Sequence, residues 1–545
     1  MACSERTSAS SDVIRIAGGT VIDGTGAEPL QADVIVENGR IVEVGRVGSA
    51  EGIQTLDVSG HYVSPGFIDV HGHSDFTLFV DPRAVSAIAQ GVTTEIFGNC
   101  GHGCFPIVDP QAVQPNIYGC KQDHDIPWRT AAEYLEILES ARPAINVATL
   151  VPNGNLRLAA VESLDRPSNP RELEKMKNLL SECLEQGAIG FSTGLEYGFE
   201  NACSEDEIVE LCKVTAKAGG IYACHTRHCE GQPVETNAEA IRTAAKANIP
   251  LQISHIGSTV RLVPTDRIQV IEQAMEQVEA ARRRGQDVTF DQHTRLFGII
   301  MLMAGLPQSM SHGSNSEIAE RLKDPAAREK ARSHRSVLTS LAAGDWSNIV
   351  VFAHKSQPEL IGRSIQDIST EARKDPWDTI FDLLLSDIDH VHELMVIGFA
   401  YREEYQSLPF RNEYCMPASD ATALAPDGPL RDDIFHGSYT WASWFYRYFV
   451  RDKGLLRPQD AIRQMTSFPA EKFGLRDRGI IRKGAWADLA VFDPRTFAER
   501  GTTFEPNQLA VGMKHVLVNG VIALKDGLPT GKRGGGILRH GESTE

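Results

Sequence analysis

Two histidines one residue apart close an apolar run in SPGFIDVHGHSD, residues 64–75. Side chains at i and i+2 share one face of a strand, so His71 and His73 can bring two imidazoles to one point. Further along, Cys100, His225, His255 and Asp420 stand at or near the ends of other apolar runs. Imidazole, thiolate and carboxylate together suit Zn2+, a borderline-soft ion that accepts all three. Taken singly, a strand-end histidine is an ordinary hydrogen-bonded residue and a buried cysteine a small hydrophobe. Their agreement across one strand end and four further ones favours a metal site. Asp69 shares the parity of the HxH pair and is a candidate to support it. Glu95 lies in opposite parity to Cys100 and is set aside.

The elements that must position these residues read as alternating strands and helices. Eight candidate strands cover 67–73, 93–100, 145–154, 188–194, 221–227, 250–257, 287–293 and 414–420. Between them, PRELEKMKNLLSECLEQG places Leu173, Met176, Leu180 and Leu184 on one helical face. Ser204 and Glu207 have capping-box spacing at the start of the next helix. Eight βα units predict a (β/α)8 TIM barrel, whose chemistry gathers at the C-terminal ends of its strands. The stretch 294–413, just before the last strand, is far longer than a barrel loop needs and predicts an inserted helical subdomain. Both ends of the chain are β-rich, with Asn38-Gly39 and Asn519-Gly520 marking two hairpins. The expected plan is a small β-sandwich or barrel domain from 1–64 and 471–545, flanking a catalytic barrel over 65–470.

Composition narrows the function classes. At 545 residues the chain is long for one core, so more than one folding unit is expected. A formal net charge of −18, with no basic block, argues against nucleic acid and anionic membrane as partners. The opening MACSERTSASSD lacks the apolar core of a signal peptide, and no apolar run reaches membrane-helix length. Ten cysteines without a CxxC pair read as reduced thiols of a cytoplasmic protein. GKRGGG at 531–536 has no helix after it and is no phosphate loop. Cys224 points to the opposite strand face from His225 and is no nucleophile.

Taken in order, PGFIDVHGHSD, GVTTEIFGNCG, GFSTGLEY, HTRH, ISH, ASDA and MTSFPAEKFGLRDRGIIRKGAWADLAVFDP resemble the amidohydrolase superfamily. Within it they look most like the N-acyl-D-amino-acid deacylase (D-aminoacylase) branch, over about residues 12–540. That branch has a cysteine in GNCG where hydantoinases and dihydroorotases use a carboxylated lysine on strand four. Here AIGFSTG has no lysine and Cys100 matches the branch. The resemblance implies one tight Zn2+ on Cys100, His225 and His255. It also implies a second, weaker or empty site on His71, His73 and Asp420. Asp420 would be general base and acid in cleavage of a linear amide, and Tyr197 would hydrogen-bond the carbonyl oxygen.

Three departures bear on the substrate. The family's SHxK is SHIG here, with Gly257 in the lysine position. Its HPR becomes His436-Gly437-Ser438, and its DQYPY becomes DQH, ending in His293. Those positions help hold a substrate carboxylate in the family, and Arg157, Arg227, Arg295 and His293 are the candidates to replace them. An N-acyl-D-amino acid is the default small-molecule substrate. An uncharged or cyclic amide of the hydantoinase type is the alternative, and an inactive scaffold paralogue stands behind both. His102, His228 and His354 are candidates for rim roles. A homo-oligomer is left open.

Overall fold

Alternating apolar residues and Asn-Gly turns build the first structure the chain meets. The computed structural model describes residues 13–48, 53–120, 124–227, 233–256, 267–311, 314–334, 336–399 and 403–541. In chain order, β1 (Val13–Val21), β2 (Leu30–Glu37), β3 (Arg40–Gly45), β4 (Gln54–Asp57) and β5 (Tyr62–Pro65) come first. They are followed by β6 (Phe67–Asp69), β7 (Val92–Phe97), β8 (Asn146–Pro152) and β9 (Gly190–Gly194). Next are β10 (Ile221–His225), β11 (Leu251–Ile253) and β12 (Val288–His293). A separate group, β13 (Gly298–Met301), β14 (Ile349–Ala353) and β15 (Met395–Gly398), precedes β16 (Cys415–Ala418). The chain ends with β17 (Leu489–Phe492), β18 (Met513–Val518), β19 (Val521–Lys525) and β20 (Leu528–Pro529).

Strands from both ends of the chain form one nine-stranded sheet among the described residues, joined where β17 pairs antiparallel with β5. Asn38 and Gly39, at φ 50° and 80°, turn β2 into β3. Asn519 and Gly520, at φ 48° and 79°, turn β18 into β19. Positive φ at both turn positions is what a two-residue hairpin requires, and Asn-Gly accepts it at least cost. The two turns meet: a Cβ on Gly520 would lie 2.8 Å from the Gly39 Cα, so glycine is needed there. Ile16, Val34, Ile41, Val63, Leu489 and Val491 fill this domain's core.

The barrel is the parallel sheet β6 to β12 plus β16, eight strands in sequence order. It closes where the backbone after β6 meets the backbone after β16. Gly72 bridges Ala421, the Asp420 N–H donates to the His71 carbonyl at 2.9 Å, and His73 N–H donates to Ala421 at 2.8 Å. Below the strand ends the interior holds Ile68, Val70, Ile96, Leu150, Ala223, Met416 and Ala418. The helix Pro170–Glu185 has Pro170 in its first turn and a complete capping box between Asn169 and Glu172. In the helix Glu205–Ala218 the box is only half made. Ser204 caps Glu207 N–H, while the Glu207 carboxylate turns to Arg157 and to Ser168 N–H, each at 2.7 Å.

Compactness divides the chain into Met1–Ile256, Gln273–Thr294 and Pro409–Glu545 on one side, and Gly257–Glu272 with Arg295–Leu408 on the other. The second unit contains helices such as Asn315–Lys323 and Pro376–Ser386, as its sequence leads one to expect. It also has a three-stranded antiparallel sheet in the order β13-β15-β14. Its short apolar runs are ambiguous between strand and buried helix, which hides them from periodicity. Ile318, Leu322, Val351, Phe381 and Val396 lie in its own core. No helix among the described residues is long and apolar enough to cross a membrane.

Candidate metal and active site

The barrel strands stop just short of the chemistry. Cys100, His255 and Asp420 each follow a strand by two or three residues, and each has left-handed backbone, at φ 55°, 35° and 46°. Non-glycine residues rarely adopt that conformation, and holding one there costs on the order of 1–3 kcal/mol. Local hydrogen bonds hold the chain in place. His255 N–H donates to Asp291 Oδ1 at 2.8 Å, and Asp420 N–H to His71 O at 2.9 Å. Gly101 N–H donates to Ser192 Oγ at 3.3 Å, beside Cys100.

The turns converge the side chains into two groups that share Cys100. His71, His73 and Cys100 form one, and Cys100, His225 and His255 the other, with ligand atoms within 4.8 Å of one another in each. His71 Nε2 lies 3.2 Å from Cys100 Sγ, and His255 Nε2 lies 3.8 Å from it. Asp420 Oδ1 sits 3.2 Å from His73 Nε2 and 3.6 Å from His71 Nε2. All five Cys and His side chains are buried. Burial alone would raise the Cys100 thiol, but the charges of His71 and His225 and hydrogen bonds from His225 and His255 draw it well below its ordinary value. Burial is outweighed at both histidines, by the hydrogen bond to Asp420 and then Cys100 at His73, raised to about 9, and by the Cys100 charge at His225, raised to about 10. A thiolate compressed among imidazoles is a donor set that a divalent cation fits by replacing protons.

Further residues surround this core, and two of them, Asp291 and Glu196, were not singled out by the sequence. Asp291, 1% exposed on β12, accepts from His71 Nδ1 at 3.1 Å through Oδ1 and from Gln252 through Oδ2 at 2.9 Å. It stands two residues before His293, so strand parity alone places it on the face of a residue already under scrutiny. Asp69 accepts from the backbone N–H groups of His71 and Ser419, at 3.2 and 3.1 Å, and supports the HxH arm through its main chain. Glu95 accepts from Ser74 N–H, and its carboxyl occupies the space a Cβ on Gly72 would need, so the glycine of HGH is a packing requirement. Glu196 Oε2 lies 3.1 Å from His225 Nε2. His102 is 8% exposed, and no hydrogen-bond partner meets either ring nitrogen among the described residues. Its ring packs on Tyr197 and Phe199, at 4.4 and 5.0 Å between centroids.

The residues proposed for substrate fare differently. Tyr197 lies beside the candidate ligands, its ring 4.9 Å from that of His225, and burial raises its hydroxyl so that it stays a donor. His293 is buried at the end of β12 with its ring 6.4 Å from that of His255. Arg157 does not line the site. It is fully buried, ion-paired to Glu207 at 2.7 Å and bonded to the carbonyls of Phe199, Leu164 and Arg166. Arg227 is likewise committed, to Glu239 at 2.9 Å and to the carbonyls of Asn201 and Cys203. Two residues after His225, Arg227 would share its face on a continuing strand, but β10 ends at His225, so strand parity does not reach it. Arg295 belongs to the second unit. Gly257 and His228 lie outside the described residues. His436 donates to the Thr503 carbonyl at 2.7 Å, and His354 pairs with Asp387 at 3.1 Å. Cys224 carries a thiol that burial pushes up to about 12, unreactive as its strand face implies.

Known proteins resemble this chain over nearly all of its span. The Amidohydrolase family matches residues 430–524. A D-aminoacylase of Alcaligenes xylosoxydans xylosoxydans is 28% identical, with 96% of each chain covered. An N-acyl-D-glutamate deacylase of the same organism is 31% identical, covering 97% of this chain and 96% of its own. Among solved structures, the N-acyl-D-glutamate deacylase of Bordetella bronchiseptica, complexed with zinc and a phosphonate mimic of the tetrahedral intermediate, superposes with a TM-score of 0.78. It is 28% identical, over 96% of this chain and 99% of its own. With the barrel, the two-ended β domain and near-complete coverage in agreement, the chain belongs to the N-acyl-D-amino-acid deacylase (D-aminoacylase) family of amidohydrolases.

Proposed function

We propose that this enzyme hydrolyses the linear amide bond of an N-acylated D-amino acid with Zn2+ as its cofactor. The observation that carries the reading is the pair of ligand groups sharing Cys100, with Asp420 at the open side of the HxH arm. Cys100, His225 and His255 would hold the tight ion, and His71, His73 and Asp420, beside the shared Cys100, a weaker second one. A zinc ion there supplies Lewis acidity, lowering the pKa of water and polarising the scissile carbonyl. Asp420 takes the proton from the attacking water and returns it to the departing nitrogen. Tyr197, held protonated by burial, donates to the carbonyl oxygen as negative charge builds there. His293 faces the substrate from β12. The thiols suit a reducing cytoplasm.

One observation favours a second substrate reading, an amide without a free carboxylate. Arg157 and Arg227, two of the arginines placed to replace the family's cations, spend their donors on the protein itself. The deciding experiment is a hydrolysis screen of N-acyl-D- and N-acyl-L-amino acids beside their amide-capped analogues. Preference for free D-carboxylates supports the first reading. Equal or better turnover of the capped compounds assigns the site to uncharged amides. No turnover of either set by zinc-loaded enzyme overturns the deacylase assignment.

A further inference from the structure

Glu196 lies in the turn that follows β9, next to Tyr197. Its place is set by the backbone, because Gly194 at the end of β9 pairs with His225 and the Leu195 N–H donates to the His225 carbonyl at 3.0 Å. From that turn the Glu196 carboxylate reaches His225 Nε2 at 3.1 Å. Cys100 is close by as well, its charge and hydrogen bond acting on the same imidazole. The imidazole thus meets a carboxylate at Nε2 and belongs to the group with Cys100 and His255 whose ligand atoms lie within 4.8 Å of one another.

An imidazole can offer a metal only the nitrogen that carries no proton. A carboxylate at Nε2 holds the N–H there and leaves the lone pair on Nδ1 as the one a metal can take. We propose that Glu196 is the positioning residue of His225: it sets the tautomer and rotation of the ring that completes the site with Cys100 and His255. This rests on the reading that His225 is a ligand. The barrel uses the same device once more, at His71 and Asp291, but the two carboxylates differ in setting. The Asp291 side chain is 2% exposed, whereas that of Glu196 is 17% exposed. Glu196 can be changed without opening the barrel core, and its effect on the ion can be measured directly.

The test uses the zinc-loaded full-length enzyme and competitive chelation. Glu196→Leu is expected to weaken the tight ion by about 10–100-fold, the usual effect of losing such a partner. Glu196→Gln is expected to recover most of that affinity, because its amide oxygen accepts the same N–H. A cobalt-substituted sample supplies a second readout, with the visible spectrum of Glu196→Leu shifted and that of Glu196→Gln restored. Wild-type zinc affinity in Glu196→Leu overturns the proposal. So does a Glu196→Gln variant as weak as Glu196→Leu, or a raised KM with unchanged zinc affinity, which would make Glu196 a substrate contact. His225→Asn separates the two levels. If His225→Asn keeps the tight ion, the ligand assignment itself fails. If it loses the ion while Glu196→Leu does not, only the role of Glu196 fails.

Discussion

Asp291 accepts a hydrogen bond from Nδ1 of His71 at 3.1 Å, with both side chains out of contact with solvent. The same oxygen also takes the backbone N–H of His255, at 2.8 Å. One carboxylate on β12 thus aims a ring in one ligand group and fixes the strained turn of a residue in the other.

Asp291→Ala is therefore expected to lower metal retention in both groups by about 10–100-fold, rather than in the HxH group alone. Metal analysis after graded chelation checks this. Loss confined to one ion would assign Asp291 to a single ring.

Cys100→Ala should release both ions, because Cys100 is the one residue common to the two groups. Elemental analysis of the purified variant is the measurement, and full zinc occupancy would remove Cys100 from the ligand set.

Asp420→Asn separates chemistry from tight binding. Cys100, His225 and His255 remain in place, so one zinc should persist while turnover falls by at least about 10²-fold, as loss of a general base predicts. Undiminished turnover would move the proton transfer to another residue.

Arg157→Met tests a residue that its charge and its place near a strand end had made a substrate candidate. Breaking its buried pair with Glu207 leaves an unpaired carboxylate in the core and should cost about 3–5 kcal/mol of stability. Denaturant unfolding measures that loss, and the folded fraction should keep the wild-type KM.

The carboxyls behind the HxH arm predict an alkaline weakness in the metal-free protein. Burial raises Asp75 to about 7 and Glu95 to about 8. The native state then holds protons that the unfolded chain has already released, so this stability is complete below the ordinary carboxylate range and is lost as pH rises through 8. Between about pH 5 and 8 the apo protein's melting temperature should fall, and Glu95→Gln should flatten the fall. Parallel curves for variant and wild type would contradict the assignment.

Local signals account for what could be read ahead of the structure. Asn38-Gly39 and Asn519-Gly520 specify their turns by themselves, and the apolar runs before His71, Cys100 and His225 announce strands whose ends carry the donors. What escaped depends on partners far away in the chain. Glu207 has capping-box spacing from Ser204, yet a buried arginine 50 residues earlier claims its carboxylate. Asp291 looks like any strand acid until His71, 220 residues away, is brought against it. The left-handed backbone at Cys100, His255 and Asp420 has at most a faint sequence signature, since Asp and His enter that region more often than most residues but far less readily than glycine.

The barrel seam has a consequence in time. Gly72 and Ala421 close the sheet, and the HxH arm faces Asp420 across that same join. During synthesis the arm is made early and its counterpart some 350 residues later, after the whole second unit has been translated. At about 5–20 residues per second, tens of seconds separate them. Until then the exposed edge of β6 and a set of metal-seeking side chains wait without their partner. A nascent chain of this protein is thus open to mismetallation and to strand exchange with a neighbour over one defined interval, which ends when residue 421 leaves the ribosome.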